Sequence, residues 1–300
     1  MGQRPAAALI RLPVLVAAGL LAVAGCTTAT STPRAAPSAS PTARATPTPR
    51  RTPTETPSPA RSAGPRLDTW TVGARPLPLR PDGFGEVQPT PPQLRVRRMP
   101  TPDLLPPPRD DRFRGTVGPV TPRIRARMGE TWSPGCPVPL AGLRYLTLTF
   151  RGFDGRAHTG ELVVNASVAS DVVRVFHRLY DASYPIEEMR LPTTADLEAP
   201  PTGDGNNTAS YVCRFTRGTT TFSAHASGLA IDVNPFMNPY RRGDLVLPEL
   251  AGAYLDRSWH RPGMVFPGGV VTRAFADVGW AWGGDFRSVS DPMHFSANGR

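Results

Sequence analysis

Histidine and acidic residues that could share a metal ion are the residues best suited to chemistry in this sequence. The 300 residues include only five histidines, so few combinations exist. His225 lies seven residues before Asp232, and His294 follows Asp291 by three. A hydrolytic zinc site takes three protein ligands from His, Asp, Glu or Cys and keeps one position open for water. His225, Asp232 and His294 could therefore form a zinc site with one free position.

Asp232 falls in a segment with the pattern of a strand. In residues 228–234 (GLAIDVN), apolar side chains alternate with small or polar ones. A strand places these two sets on opposite faces. Because burying a lone carboxylate is very costly, an acid on a strand inside a domain needs a partner.

Two motifs around these residues resemble a known family. Residues 223–232 match S-x-H-x-x-G-x-A-x-D, and residues 291–294 match D-x-x-H. Together they resemble the signature of the VanY-type zinc peptidases, which include D-alanyl-D-alanine carboxypeptidases and L-alanyl-D-glutamate endopeptidases. The similarity also includes residues 279–285 (GWAWGGD). It covers the chain from about residue 132 onward.

The resemblance implies a role for each matching residue. His225, Asp232 and His294 match the metal ligands of the family. Asp291 matches its general base, which moves protons during amide hydrolysis. Arg214 matches an arginine that binds the scissile carbonyl or its oxyanion, a task suited to a permanently charged guanidinium.

Two further residues are expected near the substrate. Ser223 would support the first ligand, and Tyr240 lies in a loop that we expect at the edge of the cleft. The resemblance also implies the α+β fold shared by DD-peptidases and Hedgehog signalling domains. In that fold a small antiparallel sheet carries the zinc site and helices flank it.

Local patterns predict the elements that would build such a domain. Residues 143–150 (LRYLTLTF) and 161–165 (ELVVN) read as strands joined by a turn at residues 152–155. Residues 170–181 predict a helix with Ser170 as its N-cap and an apolar face. A further short strand is predicted at residues 211–215.

The N-terminal residues predict export. Arg4 and Arg11 precede an apolar run from residue 12 to 24, which is too short to span a bilayer and is typical of a signal peptide. The run ends in a bacterial lipobox-like sequence, so we expect cleavage after residue 25 and a diacylglycerol on Cys26. An ordinary signal peptide cleaved nearby is the alternative. The lipid would anchor the protein to the outer face of the cell membrane.

Proline is concentrated just after this segment. Of the 37 prolines, 20 lie between Thr27 and Pro108. We therefore predict a largely disordered tether over residues 26–110 and a folded domain over residues 111–300. Because Trp70, Phe84 and several leucines appear within residues 66–109, this part could instead drape over the domain.

Charge and cysteine content add two expectations. The net charge is +10 and all basic residues are arginine, yet we find no nucleic-acid-binding motif and expect no nucleic-acid partner. An oxidising compartment permits a disulfide between Cys136 and Cys213, with two buried free thiols as the alternative.

These expectations combine into one function. The resemblance implies a zinc peptidase, expected to be a monomer, that hydrolyses peptidoglycan stem-peptide amide bonds in cell-wall remodelling. One alternative is a wall-binding lipoprotein that keeps zinc but lacks catalysis. Another is a structural or adhesion protein whose domain serves as an anchor point.

Overall fold

The structure, a computed structural model, describes residues 70–216 and 219–299. The predicted signal peptide, Cys26 and the part of the predicted tether up to residue 69 lie outside these residues. The described part is an α+β domain with small antiparallel sheets, as the sequence predicts. None of the helices in the described residues is long and apolar enough to cross a membrane.

The first sheet has three antiparallel strands in the order β1-β2-β3. They are β1 (Gly115–Pro119), β2 (Leu143–Arg151) and β3 (Ala157–Asn165). β2 and β3 form the predicted hairpin, and β3 begins four residues before the predicted strand. The alternation of apolar residues in β2 and β3 buries one face of this hairpin against helix α2.

Helix α2 (Ala169–Asp181) supplies much of the main core. Val172, Val175, Phe176 and Leu179 are buried on one face, at the spacing that the sequence predicts. The predicted N-cap is wrong. A short 3₁₀ turn, Ala166–Val168, precedes the helix, and the Asn165 side chain caps that turn through the Ser167 N–H.

The second sheet has the order β4-β8-β7 and the third pairs β5 with β6. Their strands are β4 (Ala230–Asp232), β5 (Tyr240–Arg242), β6 (Leu245–Leu247), β7 (Ala281–Trp282) and β8 (His294–Ser296). Besides α2 and several short 3₁₀ helices, the described residues include three short α-helices: α1 (Pro122–Met128), α3 (Thr194–Glu198) and α4 (Val270–Ala276). The strand predicted at residues 211–215 is wrong: only a single bridge between Phe215 and Phe222 forms there.

Residues 70–110 are not the disordered tether that the sequence predicts. We call residues 70–109 the N-terminal strap, because they run over the domain with almost no regular structure. Leu77 and Leu94 of this strap are buried in a second hydrophobic core with Tyr254 and other residues of the domain. Prolines remove ladder donors, so side chains of the domain hold this segment. Asp204 accepts from the Trp70 indole (3.0 Å) and Glu249 accepts from the Gly85 N–H (2.9 Å).

A disulfide joins Cys136 to Cys213, which confirms that prediction. It ties the segment before β2 to the segment that leads to the site. Its Cα atoms are 5.9 Å apart, within the normal range for a disulfide.

Replacing both cysteines with serine is expected to lower the free energy of unfolding by about 4–5 kcal/mol. This is the chain-entropy value for a loop closed over a sequence separation of 77 residues. Urea unfolding with and without reductant measures it. Reductant should lower the stability of the wild type to that of the double variant and leave the variant unchanged; equal stability of both proteins without reductant would contradict the expectation.

Candidate metal centre

Strand pairing brings Asp232 and His294 together. β4 and β8 are antiparallel neighbours, and Asp232 lies directly opposite His294 in their register. On the other face of these strands, Ile231 and Phe295 are fully buried in the main core. Because side chains alternate along a strand, the same pairing that fills the core presents a carboxylate and an imidazole on one face.

His225 approaches from a separate turn. It lies in the 3₁₀ helix Ala224–Ser227, which ends at Gly228 in the left-handed conformation (φ 64°). A Cβ at Gly228 would lie 2.5 Å from the Asn165 backbone nitrogen. The Asn165 N–H donates to the Gly228 carbonyl (2.8 Å), so β3 holds this turn in place.

The three side chains converge at distances that suit a zinc ion. Asp232 Oδ2 is 3.2 Å from His225 Nε2, and Asp232 Oδ1 is 3.1 Å from His294 Nδ1. One ligand atom from each residue lies within 4.8 Å of the others. Tetrahedral zinc with bonds of about 2.0–2.2 Å separates its ligand atoms by about 3.3–3.5 Å. Both distances from Asp232 to the histidines are close to this spacing, and two imidazoles with one carboxylate are a donor set that zinc takes in proteins.

Neighbouring groups orient the ligands. His225 Nδ1 lies 2.7 Å from the Ser210 carbonyl. Donation from Nδ1–H to this oxygen makes Nε2, which faces Asp232, the nitrogen that would bind a metal once it has lost its proton, a common arrangement for metal-binding histidines. Burial would raise the pKa of the Asp232 carboxyl, but the charges and hydrogen bonds of His225 and His294 outweigh it and lower this pKa. Asp232 is therefore a carboxylate, the form that binds metal.

Asp291 is a half-buried residue beside this cluster. Its Oδ1 atom is buried without a hydrogen-bond partner. Burial and, next, the charge of Asp232 raise the pKa of Asp291 to about 7, although His294 and His225 oppose the shift. A carboxyl with this pKa can both accept and release a proton near neutral pH, as a general base must.

The raised pKa predicts a pH-dependent stability difference between the wild type and Asp291→Asn. In the unfolded chain the Asp291 carboxyl loses its proton near pH 4, whereas in the metal-free folded protein it keeps it to about pH 7. The wild type should therefore lose stability relative to the variant as pH rises from about 4 to 7.

Thermal unfolding of both proteins in chelator from pH 4 to 8 measures this difference. We expect the melting temperatures to be similar near pH 4 and the variant to be the more stable protein at pH 8. A difference that stays constant across this range would show that Asp291 titrates normally in the folded protein.

The structure places the other predicted site residues as follows. Arg214 is exposed, and its Nη1 donates to the Phe215 carbonyl (3.4 Å). Within the described residues no hydrogen bond links its side chain to the metal cluster. Ser223 precedes the turn that carries His225, and its N–H donates to the Arg214 carbonyl (3.0 Å). The roles predicted for Arg214 and Ser223 remain predictions.

Tyr240 is half-buried at the start of β5, so the loop predicted at this residue is wrong. Its neighbour Arg241 exchanges both backbone hydrogen bonds with Ser290, the residue before Asp291. This pairing brings β5 to the edge of the cluster, but the substrate contact predicted for Tyr240 remains a prediction.

Several residues around the cluster are not among the predicted site residues. The Ser210 carbonyl orients His225, the Phe286 ring lies 6.1 Å from the His294 ring, and Gly283 packs against Asp291. For Gly283 and its neighbour Phe286, the only sequence signal was the segment GWAWGGD (residues 279–285), which is part of the resemblance. Nothing in the local sequence indicates the Ser210 carbonyl.

Comparison with known proteins supports one family. Residues 217–297 match the family model described as D-alanyl-D-alanine carboxypeptidase. The match includes all three cluster residues and Asp291 and covers a little over a quarter of the chain. No curated protein and no solved structure matches the chain. Over this range, then, the chain is similar to D-alanyl-D-alanine carboxypeptidases.

Proposed function

We propose that this protein is a zinc-dependent peptidase that hydrolyses amide bonds in peptidoglycan stem peptides. The bond would be of the D-Ala-D-Ala carboxypeptidase type or the L-Ala-D-Glu endopeptidase type. One observation carries the proposal: two imidazoles and a carboxylate converge within 4.8 Å of one another, beside the Asp291 carboxyl, whose Oδ1 is buried and whose pKa is raised. The family match over residues 217–297 supports it.

His225, Asp232 and His294 would hold the zinc ion. Zinc, when bound, lowers the pKa of a coordinated water to about 7 and polarises the scissile carbonyl. Three protein ligands leave a coordination position for these groups. Burial of His225 and His294, which are each less than 10% exposed, limits competition from bulk water.

Asp291 would move the protons of the reaction. Its unpartnered Oδ1 can accept the proton that the attacking water releases. The C–N bond then breaks, and the same carboxyl returns that proton to the leaving amine nitrogen. The products are a carboxylic acid and an amine, which become a carboxylate and an ammonium group at neutral pH, and the Asp291 carboxyl ends in its starting state. Arg214 would have to turn from the Phe215 carbonyl toward the oxyanion to take part.

The test is incubation of the protein with defined stem peptides and muropeptides, with and without a chelator. Mass spectrometry should detect either free D-alanine or the fragments of L-Ala-D-Glu cleavage, and so assigns the bond. Chelation should abolish the products, and added zinc should restore them. Tight zinc binding without any product would instead favour the inactive wall-binding alternative.

We further propose an extracytoplasmic location with a lipid on Cys26. A substrate in the cell wall and the lipobox-like sequence before Cys26 support this location. Labelling cells with a radioactive fatty acid tests the anchor. The Cys26→Ala variant should carry no label, and the signal-peptidase inhibitor globomycin should leave the precursor uncleaved. Unchanged labelling of Cys26→Ala would rule out this anchor.

A further inference from the structure

The turn from Asp291 to His294 carries both the proposed base and a proposed ligand. Two hydrogen bonds hold its two ends: the Asp291 N–H donates to the Gly283 carbonyl and the His294 N–H donates to the Asp291 carbonyl, both at 3.1 Å. Between them, the Met293 carbonyl accepts from the Val233 N–H (2.9 Å). A displacement of residues 291 and 292 would move the base, whereas the pairing of β8 with β4 also holds His294.

The Trp282 side chain supplies a further restraint. Its indole Nε1–H donates to the Pro292 carbonyl at 2.9 Å, ten residues along the chain. Proline has no N–H of its own, so the carbonyl is the only backbone group through which residue 292 can be tied. The ring lies against Gly284, where a Cβ would be 2.3 Å from the nearest ring atom. Trp282 therefore reaches the turn from a defined position.

Gly283 allows the turn to come close. A Cβ at this position would lie 2.5 Å from the Asp291 carbonyl oxygen, 3.0 Å from the Asp291 Cβ and 3.1 Å from the His294 Cβ. The 2.5 Å distance is to a backbone oxygen of Asp291, which, unlike a side-chain atom, cannot move away by rotating. Any larger side chain at residue 283 would push on both the base and the ligand.

We propose that Trp282 and Gly283 are positioning residues for Asp291. This inference rests on the proposed function and deepens it. Trp282 acts through the Pro292 carbonyl, and Gly283 acts through the contact of its backbone with Asp291. Displacements of about 1 Å in a catalytic group can cost about 100-fold in rate, so the loss of one distant restraint would be visible in kcat.

The variant Trp282→Phe removes the indole N–H and keeps an aromatic ring. We expect kcat for the stem peptide to fall by about 10- to 100-fold, while KM changes less than about twofold and zinc affinity less than about threefold. The matched control is Trp132→Phe, because the Trp132 indole makes the same kind of bond, to the Val138 carbonyl at 3.0 Å. That variant should keep the wild-type kcat. An unchanged kcat in Trp282→Phe would overturn the proposal.

Hydrogen exchange gives a reading that does not depend on activity. In Trp282→Phe, the Asp291 and His294 amides should exchange at least about fivefold faster than in the wild type, the effect of losing one hydrogen bond of ordinary net strength. Trp132→Phe should leave both amides unchanged. If the wild type cleaves no stem peptide but these rates change, the proposed function fails and the positioning role stands. Unchanged exchange in Trp282→Phe would overturn the positioning role itself.

Gly283→Ala tests the same idea from the other contact. Because the new Cβ would press on both Asp291 and His294, we expect a loss of kcat of at least about 100-fold together with weaker zinc binding. Gly118→Ala is the matched control, since a Cβ there meets no atom within 4 Å. Wild-type zinc affinity and kcat in Gly283→Ala would count against the close approach. If this variant does not fold, Trp282→Phe still decides the question.

Discussion

Replacing Asp291 with asparagine is expected to lower kcat for stem-peptide hydrolysis by about 100- to 10,000-fold while zinc stays bound. Asparagine has almost the same shape as aspartate but cannot take up the proton. The unpartnered Oδ1 and the raised pKa of Asp291 indicate a group kept ready for proton transfer. Steady-state kinetics on the bond that the wild type cleaves, together with zinc titration of the chelated protein, would measure both effects.

The control for this variant is Asp277→Asn. Asp277 is an exposed aspartate whose carboxylate pairs with Arg178 on the surface, so its loss should leave kcat unchanged. Two outcomes would contradict the assignment of Asp291. Near-normal kcat in Asp291→Asn would mean that another group serves as the base. Loss of zinc from the variant would mean that Asp291 acts mainly in holding the site together.

The second large effect is expected at Arg97, in the N-terminal strap. Its guanidinium is buried and forms a two-point ion pair with Glu187 through Nε (2.7 Å) and Nη2 (2.5 Å). Its Nη1 also donates to the Asp204 carbonyl (2.7 Å). Arg97→Leu would leave the Glu187 charge buried without its partner. We expect the free energy of unfolding to fall by about 3–5 kcal/mol, measured by urea unfolding.

Two further variants separate this charge effect from general damage. The double variant Arg97→Leu/Glu187→Gln removes the unpaired charge and should recover part of the lost stability. Arg174→Ala breaks an exposed ion pair with Asp171 (2.6 Å) and should cost less than about 1 kcal/mol. If Arg97→Leu costs no more than Arg174→Ala, the buried ion pair between Arg97 and Glu187 contributes little to the stability of the domain.

The N-terminal strap also reaches the segment that follows the proposed ligand Asp232. The Glu187 N–H donates to the Asn234 side chain (3.3 Å), and Asn206 donates to Glu187 (2.9 Å) while accepting from the Phe236 N–H (2.9 Å). Asn234 itself adopts a left-handed conformation (φ 43°), which asparagine tolerates better than most residues. Arg97 thus stabilises the polar network at the end of β4.

Local sequence patterns determined those parts of the structure that depend on near neighbours. The alternation around Asp232, the β2–β3 hairpin and the apolar face of α2 follow from the periods of strands and helices. The five histidines limited the metal ligands to a small set, and the two motifs pointed to His225, Asp232 and His294. These inferences needed no knowledge of which segments meet.

Only the tertiary structure decided what depends on distant partners. The register of β4 against β8 places Asp232 opposite His294 across 62 residues. Arg97 pairs with Glu187, 90 residues further along the chain. This ion pair helps to hold the proline-rich N-terminal strap on the domain, although the composition of the strap predicts disorder. The orientation of Arg214 and the bond from Trp282 to Pro292 were equally absent from the sequence patterns. The physical reason is that periodicity reports which face of an element is buried, whereas a hydrogen bond between remote segments depends on the packing that brings its donor and acceptor together.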